Sequence, residues 1–339
     1  MTKKKIDLAT VLRGCTPGKI QTVGNMQVIP LISEISNDKF VSPSMAKSAD
    51  VSTSNYGSLA FKNNTDKDMI VPSHAAYVVK EAAQDHAIPH VGLVRKKTRK
   101  TFNTAACIQQ TQGGYISNAE HDMIILPFQI REDAHKTRKE KMYNKLWNSI
   151  IRLNRSAGVR SSSQGHLEYF LDHYEKQLDQ FVAEFEPVNK QVGAIILVNG
   201  HVVGIEKAPN YQYWLSIWGP LIRTCYGSLA IMESDDKSIP ETRSYVRKAD
   251  SLNDLKNAIT EADKNEYEKV KQIVNAINSI DLGSETDETW QNLEVKSLSG
   301  QRFVGQIVSE EEEVVFVSLV ATSNWRKHGD WYEANDFKM

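Results

Sequence analysis

The first half of the chain alternates short apolar runs with polar breaks. The first run, Met26 to Ile35, surrounds Pro30 and suits a strand at a sheet edge or a bulge. Residues 36–58 carry few large apolar groups, which predicts a mobile insertion. Later runs, typical of short strands bounded by turns, are Ser58 to Phe61, Met69 to Val71, His90 to Val94, Cys107 to Gln112 and Met123 to Ile130.

The pattern then changes to a helical period. Apolar residues share one face of a predicted helix from Glu132 to Asn154. A second apolar stripe runs from Leu167 to Phe185 and ends before Pro187. Ser161 to Gln164 has the S-x-x-Q form of a capping box and would begin this second helix. We expect the two helices to be antiparallel neighbours.

A β-hairpin and a kinked helix follow. Branched apolar residues flank Asn199-Gly200, and Asn-Gly tolerates the positive φ of a type I′ turn. Asn210 is expected to cap the next helix, which Gly219-Pro220 should kink. Its aromatic residues could stack on bases, but their helical spacing favours packing in the core. These residues are Tyr211, Tyr213, Trp214 and Trp218.

The last third predicts one or two helices from Leu252 to Ile277, ending near Gly283. Three strands then form a meander: Leu293 to Leu298, Arg302 to Val308 and Val314 to Val320. The fold class is therefore α+β, with a β-rich N-terminal half, central amphipathic helices with a β-hairpin, and C-terminal helices with a β-meander.

This organisation suggests a division of the chain. We expect an N-terminal tail at residues 1–19, an α+β domain at 20–232 and a linker or exposed loop at 233–250. The helices and meander at 251–339 should pack on the same domain.

Composition and charge exclude several classes of protein. With 40% hydrophobic and 24% charged residues, the chain is not collagenous, of low complexity or wholly disordered. A net charge of -1 argues against a protein that coats DNA. Three distant cysteines form neither a disulfide framework nor a C-x-x-C zinc pair. Without a signal-peptide core or an apolar stretch of roughly 20 residues, we expect a cytoplasmic protein with no membrane role.

Positive charge is nevertheless concentrated in one region. Residues 90–160 hold 14 Lys and Arg against 5 Asp and Glu, and 95–100 alone hold five cations in six positions. Arginine can bind phosphate with two hydrogen bonds, and lysine acts as a point charge. The alternative is a solvated loop, which is the commoner outcome for a charge run with no glycine-rich cradle beside it.

Other chemistry finds little support. His86 and His90 have the H-x-x-x-H spacing of a metal pair, but Pro89 opposes a helix and no third ligand is suitably placed. We therefore expect exposed loop histidines and no metal. Cys107 in an apolar strand should be a buried, inert thiol. The G-x-S-x-G, G-x-G-x-x-G and P-loop motifs are absent, and no cofactor is expected.

Several stretches together resemble one family. Gly24 to Leu31 resembles the G-N-L-x-V-x-P-L opening of the domain family named for its association with ADP-ribosylglycohydrolase and rhodanese-phosphatase proteins. Gly158 to Gly165 is similar to its helix-entry segment, and Val192 to Glu206 resembles its V-G-A…x-G-x-V-V-G-x-E hairpin. The Trp218 to Leu221 kink is also similar. The likeness covers about residues 20–232, and we expect it to include the C-terminal meander.

The resemblance implies an α+β domain of unsettled activity, linked by its neighbours to ADP-ribose and nucleotide processing, and seen in bacteria and large phages. Lys96, Arg99, Asn103 and Thr104 match part of its signature G-E-E-L-x-G-A-K-Q-N-R-x-x-N-T, with one extra residue after Arg99. The acidic pair and a following C-V-E-x-G-R-W run have no clear counterpart. Chemistry that needs those carboxylates would be lost here. The serine-rich insertion favours a phage version, located in the host cytoplasm.

Three functional hypotheses remain open. The leading one is an accessory protein that binds a phosphate-bearing ligand, such as ADP-ribose, a nucleotide or a nucleic-acid end. Its expected binding residues are Arg95, Lys96, Lys97, Arg99, Asn103 and Thr104. One alternative is a hydrolase of an ADP-ribose or phosphoester bond, with unassigned catalytic residues and a carboxylate or metal close to the substrate. The other is a non-enzymatic interaction protein that could form a homo-oligomer.

Overall fold

The computed structural model describes residues 4–45, 48–53, 55–79, 85–110, 121–159, 163–234 and 251–324. The strands of the first part are β1 (Lys4–Asp7), β2 (Thr16–Pro17), β3 (Gln21–Val23), β4 (Met26–Ile32), β5 (Phe40–Val41), β6 (Ala49–Ser52), β7 (Leu59–Asn63), β8 (Asp68–Val71), β9 (Ala75–Val79) and β10 (His86–Ala87). The later strands are β11 (Gly92–Val94), β12 (Arg99–Phe102), β13 (Ala106–Cys107), β14 (His121–Ile125), β15 (Gln191–Val198), β16 (His201–Lys207), β17 (Asp281–Trp290), β18 (Leu293–Ser299), β19 (Phe303–Glu310) and β20 (Glu313–Ala321).

The helices are α1 (Leu8–Val11), α2 (Phe128–Lys136), α3 (Trp147–Ser156), α4 (Glu168–His173), α5 (Glu175–Glu184), α6 (Tyr211–Pro220), α7 (Gly227–Met232) and α8 (Leu252–Asn278). A π-helix, Leu221–Tyr226, joins α6 to α7.

One antiparallel sheet connects the two ends of the chain. Its strand order is β1-β17-β18-β19-β20-β16-β15-β4-β2, with β3 also paired to β4. β1 pairs with β17 from Lys4 opposite Ser284 to Asp7 opposite Asp281. The C-terminal meander continues the central hairpin, since β16 pairs with β20. The α+β fold class is confirmed, and the predicted meander is present as β18 to β20.

Three smaller sheets lie outside this order: β13-β10-β9-β14, β11-β8-β5 and β12-β7-β6. The segment predicted as a mobile insertion, 36–58, supplies β5 and β6. Phe40, Val41 and Val51 from this segment are buried in the core. These apolar residues of the segment therefore do pack, although Tyr56 is exposed. The mobility of the segment stays a prediction.

The predictions with the strongest local signals are confirmed. Asn199 and Gly200 have φ values of 51° and 80°, as a type I′ turn requires. The Asn210 side chain accepts a hydrogen bond of 2.8 Å from the backbone N–H of Tyr213 and caps α6. Tyr213, Trp214 and Trp218 of α6 pack in the core, as expected, and Trp214 is only 1% exposed, while Tyr211 is half-buried. After Pro220 the helix continues with π geometry, consistent with the hydrogen bond that proline removes.

Other helical boundaries differ from the prediction. The expected helix from Glu132 to Asn154 is two helices, α2 and α3, and the charged residues at 138–141 lie in the connection between them. The run from Met123 to Ile130 is a strand only as far as Ile125, and α2 begins at Phe128.

The second predicted stripe is buried as expected but is divided between α4 and α5. Its capping box includes residues 161 and 162, which lie outside the described residues. The predicted linker at 233–250 lies outside them from residue 235 onward. The C-terminal helical region is one helix, α8, and Gly283 belongs to β17.

Two glycines of the family-like hairpin have no room for a side chain. A Cβ added at Gly193 would lie 2.3 Å from the carbonyl oxygen of Glu206. One added at Gly204 would lie 2.0 Å from the hydroxyl of Tyr226. The close packing of Tyr226 on Gly204 lets that hydroxyl donate a 2.6 Å hydrogen bond to Glu206. Both glycines are therefore explained by packing.

Gly204→Ala should lower the free energy of unfolding by about 1–3 kcal/mol, because the methyl group must displace Tyr226. Gly219→Ala in α6 is the matched control: nothing lies within 4 Å of its Cβ position. Alanine is a better helix former than glycine, so we expect no loss there and a gain of up to about 1 kcal/mol. Urea denaturation measures both. Equal losses in the two variants would contradict this account of Gly204.

Candidate functional site

The predicted basic segment, residues 95–100, runs from the end of β11 into β12. Arg95, Lys96, Lys97 and Arg99 are exposed. Lys97 has a φ of 56°, and its N–H donates a 3.1 Å hydrogen bond to the carbonyl of Thr65. This contact ties the turn to the preceding loop while its side chains face outward.

The cations of the basic segment contact separate neighbours. Arg95 lies 4.7 Å above the ring of Trp290 in β17. Lys97 Nζ donates to the carbonyl of Asn64 at 2.9 Å, and Arg99 donates to Ser52 Oγ at 3.0 Å. These predicted ligand-binding side chains therefore contact three different parts of the chain.

Of the remaining predicted residues, Lys96, Asn103 and Thr104, only Thr104 lines a cleft. The backbone N–H of Lys96 donates to Asp68 at 3.0 Å, and Asn103 is exposed. Thr104 is half-buried and lines a cleft of about 260 Å³. Lys100 forms a 2.7 Å ion pair with Glu288, which also lines this cleft. The cleft and the basic segment are thus adjacent surfaces.

The cleft is formed where the loops around β11 and β12 meet the C-terminal meander. His90 precedes β11, Thr104 follows β12, and Arg138 and Lys139 follow the end of α2. Asp287 on β17 completes its charged lining. Residues far apart in the sequence therefore share one polar surface.

Asp287 organises the charges of the cleft. Burial would raise its pKa, but hydrogen bonds from Ser297, Lys139 and Gln306 and the charge of Arg138 outweigh burial and lower it to about 2. Gln306 Nε2 donates to its carboxylate at 2.8 Å, and Lys139 Nζ lies 2.9 Å away. Asp287 is therefore a permanent anion that holds Arg138 and Lys139 at the cleft.

His90 and Thr104 form a hydrogen-bonded pair in the cleft. His90 Nδ1 lies 2.8 Å from the carbonyl oxygen of Val91, and Nε2 lies 2.6 Å from Thr104 Oγ1. A carbonyl oxygen can only accept, so Nδ1 carries the proton. Burial lowers the pKa of His90 below 6.5, which keeps the ring neutral at pH 7. Nε2 is then the acceptor, and the Thr104 hydroxyl donates to it.

Packing and hydrogen bonds hold this pair in place. The ring of His90 meets the ring of Phe102 edge-on at 5.6 Å. Gly92 makes room for Phe102, since a Cβ there would lie 2.7 Å from the Phe102 ring. The N–H of Val91 donates to Gln306 Oε1 at 2.8 Å. The histidine is therefore anchored to both β12 and the meander.

Lys145 adds a half-buried cation beside Thr104. Its Nζ donates to the carbonyls of Thr104 at 2.7 Å and Glu140 at 2.6 Å. Burial lowers the pKa of Lys145 to about 8, so it is mainly protonated at pH 7. Its positive charge helps to keep His90 neutral.

A second polar cluster is fully buried. Arg131 of α2 is 0% exposed and forms a 2.8 Å ion pair with Glu206 of β16. It also donates to His74 Nδ1 at 2.9 Å and to Ser318. Sequence reasoning missed this cluster, although Glu206 had stood out as the last residue of the family-like hairpin. Because solvent does not reach it, its role is to fix α2 against the sheet.

The prediction of exposed loop histidines was wrong. His86 lies on β10 and is completely buried, because β10 pairs with both β9 and β13. Its neighbour Asp85 is only 2% exposed, and His90 is half-buried. Cys107 is buried as predicted, and burial raises the pKa of its thiol. Within the described ranges, no group of three His, Cys, Asp or Glu side chains could hold a metal ion.

The fold of the described residues and this cleft define an α+β protein with one large antiparallel sheet and a polar, partly cationic cleft beside its strands β17, β18 and β19. The profile of the ARG and Rhodanese-Phosphatase-superfamily-associated Protein domain (ARPP-1) matches residues 14–320. The chain belongs to this family, and the resemblance seen in the sequence is confirmed. No curated protein and no solved structure matches the chain. Among the described helices, none combines the length and the apolar character needed to span a bilayer.

Proposed function

We propose that this protein binds a phosphate-bearing ligand, such as ADP-ribose, a nucleotide or a nucleic-acid end, across the cleft and the adjoining basic segment. The observation that carries the proposal is that the basic segment borders the cleft through the ion pair of Lys100 with Glu288 in the cleft lining. The four cations that precede Lys100 in the same segment are exposed: Arg95, Lys96, Lys97 and Arg99. A ligand in the cleft would extend its phosphates toward these exposed cations.

The charge balance of the cleft favours a ligand with singly charged phosphates. In the lining, Arg138 and Lys139 are matched by Asp287 and Glu288. Lys100 and Lys145 beside it leave a modest positive excess. A dianionic phosphate monoester would place more negative charge beside the fixed Asp287 carboxylate than a singly charged phosphate does. Phosphodiesters and the pyrophosphate of ADP-ribose carry one charge per phosphate and suit the site better.

The family name supports the choice of ligand class, since it associates this domain with ARG and rhodanese-phosphatase-superfamily proteins. An accessory role in nucleotide or ADP-ribose metabolism is consistent with that association. We propose a cytoplasmic setting, in a bacterial host if the protein is encoded by a phage.

Calorimetric titration with ADP-ribose, ATP and a short oligonucleotide tests the proposal. Lys96→Ala/Arg99→Ala should weaken binding of the preferred ligand about tenfold, the effect of roughly 1.4 kcal/mol. Raising the salt concentration should weaken wild-type binding further, because exposed charges are screened.

Arg155→Ala/Lys176→Ala is the matched control. It removes one arginine and one lysine that are also exposed, on α3 and α5. We expect this variant to bind as the wild type does. Absence of binding to all three ligands by the wild type, or equal binding by the wild type and the 96/99 variant, would refute the proposal.

A further inference from the structure

The cleft contains a hydroxyl group whose proton is already directed to a neutral histidine. We propose that Thr104 and His90 form a nucleophile–base dyad that hydrolyses a phosphodiester or phosphoanhydride bond of the ligand held in the cleft. The substrate class in this inference rests on the proposed function. The inference goes further by giving the protein an enzymatic activity and by assigning its reacting atoms.

The hydrogen-bond geometry matches an activated nucleophile. Thr104 Oγ1 is 2.6 Å from His90 Nε2, and the carbonyl of Val91 fixes the opposite ring nitrogen at 2.8 Å. A nucleophile, a base within hydrogen-bond reach and a third group that orients the base are the features common to hydroxyl nucleophiles. Thr104 and His90 both line the cleft, so a phosphorus atom in the cleft would be close to Oγ1.

The surroundings favour negative charge at the reacting centre. Lys145 Nζ is bound to the carbonyl of Thr104 itself. Arg138 has a buried Nε with no hydrogen-bond acceptor among the described residues, and Lys139 lies in the same lining. These cations can bind the non-bridging oxygens as charge develops on them. The fixed Asp287 carboxylate selects against dianionic monoesters.

The reaction has two balanced steps. In the first, Thr104 Oγ1 attacks phosphorus, the bond from phosphorus to the leaving oxygen breaks, and the hydroxyl proton passes through His90 Nε2 to that oxygen. In the second, water attacks the phosphothreonine and gives a proton to His90 Nε2. The bond between Oγ1 and phosphorus breaks, and the same proton returns to Oγ1. Both steps are substitutions at phosphorus and need no oxidant, reductant or metal.

Diisopropyl fluorophosphate tests the dyad without knowledge of the natural substrate. Oγ1 would bind phosphorus, fluoride would leave, and the proton would pass to His90. Intact-mass and peptide mass spectrometry should show one diisopropylphosphoryl group at Thr104 in the wild type. His90→Gln should slow labelling at least tenfold, and Thr104→Val should abolish it. Thr101→Val is the control. Thr101 is an exposed threonine in β12 that should not react, so this variant should be labelled at Thr104 as the wild type is.

The pH dependence separates a reacting histidine from a structural one. Labelling should increase as His90 loses its proton, with an inflection below pH 6.5. Burial and the charge of Lys145 lower the pKa of His90, and they outweigh the hydrogen bond to Val91 and the charges of Glu288 and Asp287, which raise it. Thr104→Ser keeps a hydroxyl group and should therefore be labelled at residue 104, where Thr104→Val is not. A wild type that is not labelled, or a His90→Gln variant labelled at the wild-type rate, would overturn the dyad.

Hydrolysis of bis(p-nitrophenyl) phosphate provides a second readout. We expect slow hydrolysis by the wild type, at least a tenfold loss in His90→Gln, and a preference for this diester over the monoester p-nitrophenyl phosphate. Labelling and hydrolysis without ADP-ribose or nucleotide binding would support the dyad and refute the proposed ligand. Ligand binding without labelling or hydrolysis would leave the binding function intact and refute the dyad.

Discussion

Glu206→Gln should lower the free energy of unfolding by about 3–5 kcal/mol, the usual loss when one partner of a buried ion pair is removed. Glutamine keeps the size of the side chain, so no cavity accounts for the loss. The variant leaves the guanidinium of Arg131 buried without a carboxylate among its described partners. With an unfolding entropy of about 2.1 cal/mol/K per residue, this corresponds to a melting temperature roughly 4–7 °C lower.

The position of the pair explains why the loss should be large. Arg131 lies on α2, Glu206 on β16, and Ser318 is opposite Glu206 on β20. The ion pair thus joins a helix to the centre of the main sheet. The same helix ends just before Arg138 and Lys139, so a displaced α2 would also disturb the cleft.

A double-mutant cycle isolates the interaction. Arg131→Met and Glu206→Gln should each be strongly destabilising, and the double variant should lose at least 1 kcal/mol less than their sum. Glu34→Ala is the control, since Glu34 pairs with Lys190 on the surface and both side chains are more than half exposed. It should change stability by no more than about 1 kcal/mol. Strict additivity in the cycle would contradict a coupled pair.

Elements with local signals could be predicted from the sequence. Asn199-Gly200 defines its turn through backbone conformations that few other residues adopt, and Asn210 begins a helix through one side-chain contact. β17 was missed because its residues are largely polar. Asp287 and Glu288 on it make ion pairs with Lys139 and Lys100, and an apolar alternation does not describe such a strand.

The site was predicted only in part, for a physical reason. Charge clustering singled out residues 95–100, and the family motif added Thr104, which does line the cleft. Asp287 and Gln306 could not be predicted, because β17 and the meander, nearly 200 residues later, bring them to the cleft. The pair formed by His90 and Thr104 spans 14 residues and depends on the path of β11 and β12. Long-range topology of this kind leaves no local pattern in the sequence.

Asp85→Asn should stabilise the protein at pH 8 by about 2–4 kcal/mol and change its stability little near pH 4. Burial raises the pKa of Asp85 from 3.8 to about 7, with a smaller contribution from the charge of Glu168. Hydrogen bonds from the N–H of Val79 and from Gln109 oppose this rise without cancelling it. The folded protein therefore binds this proton more tightly than the unfolded chain does.

The sign follows from proton linkage. A pKa raised by folding adds stability that is fully present below pH 3.8 and is lost as the pH rises through about 7. Three pH units correspond to about 4 kcal/mol, which is an upper value for this site. Asparagine has no proton to lose, and its side-chain oxygen can still accept the 2.8 Å hydrogen bond from Val79.

Urea denaturation of the wild type and Asp85→Asn at pH 4, 6 and 8 measures this effect. The difference between the two proteins should grow with pH and level off above pH 7, because all other titrating groups are shared. Asp50→Asn is the control: Asp50 is exposed on β6 and pairs with Lys62 on the surface, so its effect should stay below about 1 kcal/mol throughout. A difference for Asp85→Asn that does not change with pH would mean that this carboxyl group is ionised in the folded protein throughout the range, despite its burial.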